Sequence, residues 1–235
     1  MRVSWTRRAG VLLTLLAVLV LLGLLPSRAH AAPAPISPFL DNVLSSVDTY
    51  WHQADAADGR PAPSVHHVWV APGAQVNTGC GAAADEKAAF YCPADDTIYI
   101  GQTFASQLYD GVAGQLPGQA AGFGKAVGAF AVAFVVAHEY GHNIQQERGE
   151  LAGHRTAMPT ELNADCLAGT WTAWDYGRGG VTSADLQEVI DAAEAAGDFE
   201  YLNPDHHGTP QQRRDAVETG IRSGSPSSCD AYLAA

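Results

Sequence analysis

Between Ala126 and Gln146 the chain runs without proline, is almost wholly apolar from Val127 to Ala137, and then carries His138-Glu139-Tyr140-Gly141-His142. A helix this apolar, with Phe130, Phe134, Val135 and Ile144 along it, belongs inside a core, and polar groups set into such a helix need partners. His138 and His142 fall one turn apart on the same face. Two imidazoles at that spacing grip one zinc ion, and Glu139 is then placed to take a proton from water. With nine His in 235 residues, composition alone yields about 0.01 such strings by chance. Two histidines on a solvated helix face would bring a polar flank, which is missing here.

A catalytic zinc site needs a third protein ligand and an open fourth position. Arg148 stands where the metzincin pattern would place its third histidine, so that pattern is excluded. The candidates further on are His154, Glu161 and Asp165. His154 lies in a polar connection, whereas Glu161 and Asp165 sit four residues apart on a helix opened by Met158-Pro159-Thr160. A helix holds a ligand better than a loop, so Glu161 is the preferred third ligand. Asp165, one turn on, can accept the second ring N–H of a ligating histidine.

The N-terminus reads as a targeting segment. Ala9 to Leu25 is an uncharged apolar run preceded by Arg2, Arg7 and Arg8 and followed by Ala29-His30-Ala31, so cleavage after Ala31 is expected. The run also reaches the lower limit for crossing a bilayer, which keeps an uncleaved anchor as the alternative. Residues 1–31 are therefore read as signal peptide or anchor, 32–37 as an Ala/Pro-rich linker and 38–235 as one domain outside the cytoplasm. Net charge is −12, and removing residues 1–31 takes away Arg and no acid, so nucleic acid is excluded as a partner and a membrane enters only through an uncleaved anchor. Export makes the four cysteines candidates for two disulfides. Cys80 and Cys92, flanked by Gly79, Gly81 and Pro93, suit a local clip, which leaves Cys166 with Cys229. A four-cysteine zinc site is the rival reading, but no CxxC pair supports it.

Elsewhere, apolar residues recurring at three and four positions predict a helix from Pro38 to about Gln53, and Thr103 to about Leu116 suits another. A glycine-rich loop follows at 117–124. Val65–Val70 and Thr97–Ile100 read as strands. Thr209-Pro210-Gln211-Gln212 reads as a capping box opening a short helix. The preceding His206-His207 is either plain loop or a source of a hydrogen bond to a reaction oxyanion through His207, a role for which Tyr140 and Tyr201 are weaker candidates. Arg213 suits either a ligand carboxylate or an acid of the chain.

HEYGHNIQ at 138–145, ELNADCLAGTW at 161–171 and HGTPQQR at 207–213 resemble the bacterial neutral zinc metallopeptidase family, a gluzincin-type group distantly similar to thermolysin. The resemblance reaches FYCPADDTIYI at 90–100 and Cys229-Asp230, and so covers most of the chain beyond residue 31. It implies His138, His142 and Glu161 as ligands of one zinc ion, Glu139 as general base and His207 near the reacting carbonyl. Asn143 stands where the family usually has a second consecutive His, and Pro210-Gln211 where it usually has Ser-Glu; neither touches the metal set. The implied fold is α+β and zincin-like, a small sheet beside the active-site helix with a mainly helical C-terminal part. The implied activity is that of a secreted metalloendopeptidase on peptide or protein substrates, with Glu139 returning its proton to the leaving amine. Thr97, Ile98, Tyr99 and Ile100 are expected to form the edge strand along which substrate lies. Two other readings stand beside it: a non-catalytic zinc-containing binding module, and a zinc hydrolase of a non-peptide bond. A purely structural zinc site has no use for Glu139.

Overall fold

The computed structural model describes residues 35–111 and 128–234. The leader, the first half of the linker, the glycine-rich loop and the end of the helix expected to reach Leu116 lie outside the described residues.

The elements run α1 (Ser37–Ala57), β1 (His66–Val70), β2 (Gln75–Asn77), β3 (Ala83–Asp85), β4 (Ala89–Cys92), β5 (Thr97–Gly101), α2 (Gln102–Tyr109), α3 (Ala129–Arg148), α4 (Met158–Gly177), α5 (Ser183–Ala195), α6 (Pro210–Ser223) and a 3₁₀ turn (Pro226–Tyr232). The fold is α+β: the strands all lie between α1 and α2 in the N-terminal half, and the C-terminal half is helical. One sheet has the order β1-β5-β4, with β5 parallel to β1 and antiparallel to β4; β2 and β3 form a separate hairpin. Ile98 and Ile100 of β5 enter the main core, while Tyr99 points to a smaller cluster with Val70, Ala84 and Cys92 on the opposite face.

This arrangement corrects one expectation. Thr97–Ile100 is the central strand, bonded on both sides and buried throughout, so it has no free edge for a substrate. The edge strands of this sheet are β1 and β4, and of these two it is β4 that packs on α3. A run apolar on both faces is what a strand covered on both faces requires.

α3 is buried along most of its length, as its composition demands, and ends at Gly149 in the left-handed conformation. Gly141, between the two histidines, lets α4 approach: a Cβ there would lie 3.1 Å from the Ala164 Cα. α4 is crossed still more closely by α6, where a Cβ on Gly220 would come within 2.0 Å of the Cys166 carbonyl oxygen. α6 opens with the expected capping box, the Thr209 hydroxyl accepting from the Gln212 N–H and the Gln212 side chain accepting from the Thr209 N–H. Disulfides join Cys80 to Cys92 and Cys166 to Cys229, the pairs expected from the sequence. Among the described residues no helix is long and apolar enough to cross a membrane.

Candidate metal centre

α3 and α4 bring His138, His142 and Glu161 together. The Nε2 atoms of His138 and His142 each lie 3.2 Å from one oxygen of the Glu161 carboxylate, and one ligand atom from each residue falls within a sphere where all are within 4.8 Å of one another. The ring nitrogens facing away are also held. His138 Nδ1 donates to Asp165 Oδ1 at 2.9 Å, and Asp165 is gripped at 2.7 Å by both Nε and Nη2 of Arg213. His142 Nδ1 donates to the Gln145 Oε1 at 2.9 Å. Both imidazoles are thus oriented with Nε2 toward Glu161, as metal-ligating histidines are by their outer partners.

Burial alone would lower the His138 pKa, but Asp165 and Glu161 outweigh it and raise it to about 10. Burial likewise works against the Glu161 carboxylate, yet the two histidines hold it well below the usual carboxylate range. Arg213, fully enclosed, is held as a cation by Asp165 first and by Glu161 beside it at 3.3 Å. Arg213 therefore pairs with acids of the chain, Asp165 and Glu161.

Glu139 is buried, and its Oε2 accepts the backbone N–H of Tyr91 at 2.8 Å. That bond joins the free side of β4 to the helix carrying the histidines. A cavity of about 240 Å³ opens over the group. Phe90, Phe104, Phe134, Val135, Ala192 and Ala196 form its apolar wall, and His138, Glu139, His142, Glu161, His207 and Arg213 its polar side.

His207 borders this cavity with its side chain 35% exposed. Asp198 holds the loop that carries it, accepting the His207 backbone N–H at 2.9 Å and the Glu200 N–H at 2.7 Å, as well as Nδ1 of the buried His206. His154 is apart from the group, with Nε2 on the Glu150 carbonyl at 3.2 Å. Tyr140 points elsewhere, its hydroxyl donating to Asp48, and Tyr201 is 64% exposed and does not line the cavity. Three participants escaped the sequence reading. Asp198 and the Tyr91 N–H left no pattern. Gln145 left one: an uncharged polar residue three positions after His142, on the same side of an otherwise apolar helix.

The sequence profile of the family described as "Putative neutral zinc metallopeptidase" matches residues 25–232. The chain belongs to this family. Among relatives, an uncharacterized protein of Mycobacterium tuberculosis is 33% identical over 218 residues, spanning 81% of this chain and 69% of the relative. The uncharacterized Escherichia coli protein YpfJ is 30% identical over 216 residues, spanning 83% and 70%. No solved structure matches the chain significantly. The family's metal suits the residues present. Two imidazole nitrogens and one carboxylate, bordering a cavity and backed by fixed outer partners, are a three-ligand donor set of the kind zinc takes in open sites.

Proposed function

We propose that this chain is a secreted zinc-dependent peptidase that hydrolyses peptide bonds with Glu139 as general base. The observation that carries the reading is the placement of the Glu139 carboxylate beside the three-ligand group, in the same cavity and held by the Tyr91 N–H. Zinc bound by His138, His142 and Glu161 supplies Lewis acidity toward water and toward the scissile carbonyl. Glu139 has one oxygen engaged by β4 and the other available, so it takes the proton from the attacking water and passes it to the leaving amine. His207, at the cavity wall, donates to the developing oxyanion.

The free side of β4 receives the substrate backbone as an added strand. Tyr91 directs its N–H away from β5, and the alternation of an antiparallel ladder places Ala89 on that same side. The aromatic and aliphatic wall favours a large apolar side chain next to the scissile bond, with its burial driving the preference. The disulfides suit the oxidising space to which residues 1–31 direct the chain.

Digestion of a peptide library by the purified protein, with and without a zinc chelator, tests this. Cleavage that stops on chelation and returns on adding zinc is expected. A zinc-loaded protein that cleaves no peptide would overturn it and favour a binding module.

A further inference from the structure

The two histidines of the metal group are oriented by unlike partners. His138 leans on a carboxylate paired with an arginine, whereas His142 leans on a neutral amide. A carboxylate can only accept, so it fixes the neighbouring ring nitrogen as a donor. An amide has a donating and an accepting end, and which end meets His142 must be decided by something else.

The rest of the hydrogen-bond chain decides it. The backbone carbonyl of Cys229 can only accept, and Asn163 Nδ2 donates to it at 3.0 Å. Asn163 therefore turns Oδ1 toward α3, where it accepts from Gln145 Nε2 at 2.8 Å. That same Nε2 donates to the Thr160 carbonyl at 2.7 Å, a second acceptor that cannot reverse its role. With its nitrogen so committed, Gln145 presents Oε1 to His142, and Nδ1 of His142 has to be the donor. Asn163, Gln145 and Cys229 are all buried, so no water competes for these positions.

We propose that the Cys229 carbonyl, held in place by the Cys166–Cys229 disulfide, acts together with the Thr160 carbonyl to set the tautomer of His142 through Asn163 and Gln145 and so keeps Nε2 free for the metal. Asn163 and Gln145 are positioning residues. The C-terminal 3₁₀ turn, remote in sequence from HEYGH, thereby becomes part of the metal site, and breaking its disulfide loosens the metal. The inference rests on the metal reading above, but its test does not depend on peptide cleavage.

The experiment measures the zinc dissociation constant by competition with a chromophoric chelator. It uses the wild type, Asn163→Leu and the Cys166→Ala/Cys229→Ala pair, each checked for a cooperative thermal transition. Imidazole ¹⁵N shifts of the zinc-loaded wild type are recorded alongside. The wild type should show His142 protonated at Nδ1 and ligating through Nε2, and both variants should bind zinc about 10–100-fold more weakly, the usual cost of losing an outer partner of a ligand. Wild-type zinc affinity in either folded variant would overturn the proposal. Ligation of His142 through Nδ1 would overturn it without any variant. A wild type that takes up no zinc at all would instead sink the metal reading itself.

Discussion

Glu139 and the histidines on either side of it share one turn of helix, yet they answer to different demands. The histidines point across to α4 and are held by Asp165 and Gln145, whereas Glu139 points at β4 and is held by a backbone N–H. Substitutions should therefore separate metal retention from turnover. Glu139→Gln keeps the size and one hydrogen-bonding oxygen but loses the proton acceptor, so zinc content should stay at the wild-type level while peptide hydrolysis falls by about 10²–10⁴. His142→Ala and Glu161→Ala should each lose zinc. Metal analysis beside a peptide assay checks both, and full zinc occupancy in Glu161→Ala would remove that residue from the ligand set. His138, His142, Glu161 and Asp165 were legible in the sequence because helical spacing fixes which residues share a face. The Tyr91 N–H was not, since a backbone group carries no residue identity.

α4 is the element through which the site is assembled, because it is pressed against α3 at Gly141 and against α6 at Gly220. Gly220→Ala would drive a methyl into the Cys166 carbonyl, whereas a Cβ on Gly177, at the end of α4, meets nothing within 4 Å. Overpacking of this kind costs about 1–3 kcal/mol, so thermal denaturation should show Gly220→Ala melting several degrees below wild type. Gly177→Ala should melt at the wild-type temperature or slightly above it. The loop bearing His207 has its own dependence, on pH. Burial would raise the Asp198 pKa, but the N–H groups of His207 and Glu200 and the His206 ring outweigh it and lower it. A folded-state value below the unfolded one means that Asp198 adds stability above the unfolded carboxylate range and loses it as pH falls through the folded value. Urea unfolding of metal-free protein should therefore show a larger loss between neutral pH and about pH 3 in the wild type than in Asp198→Asn, around the ordinary aspartate value of about 3.9. Equal losses would contradict that role. At this scale α1 was readable from periodicity, α3 from its unbroken apolar run, and α4 and α6 from their Pro-marked starts, while α5 was not singled out and β2, β3 and β4 were too short to give a pattern. The apolar run of β5 drew attention to itself because it is central, and for that reason it is not the edge.

Across the whole molecule the two disulfides clamp different halves of the site. Cys92 ends β4, directly after the Tyr91 whose N–H meets Glu139, and its partner Cys80 lies in the turn between β2 and β3. Cys166 lies on α4, one residue beyond Asp165, and its partner Cys229 carries the carbonyl that Asn163 reads. The cysteine pairs were legible from their even number and spacing, but what each pair braces was not, because that depends on which elements meet in space. The loops they close are 12 and 63 residues long. In the chain-entropy account these contribute about 3 and about 4 kcal/mol, so removing either should lower stability to a broadly similar degree. Their effects on the site should diverge. Without Cys80–Cys92 the end of β4 loosens, so Glu139 and the substrate edge lose alignment while the ligands on α3 and α4 stay braced. Peptide turnover should then fall with zinc affinity unchanged. Without Cys166–Cys229 the brace behind His142 loosens, and zinc affinity should fall first, with activity restored in part by excess zinc. Chelator competition and peptide assays on Cys80→Ala/Cys92→Ala and Cys166→Ala/Cys229→Ala, compared at a temperature where both are folded, read the two effects separately. If both pairs lose zinc and turnover in the same proportion, the disulfides act through global stability alone, and the division of the site between a β4 half and a helical half is wrong.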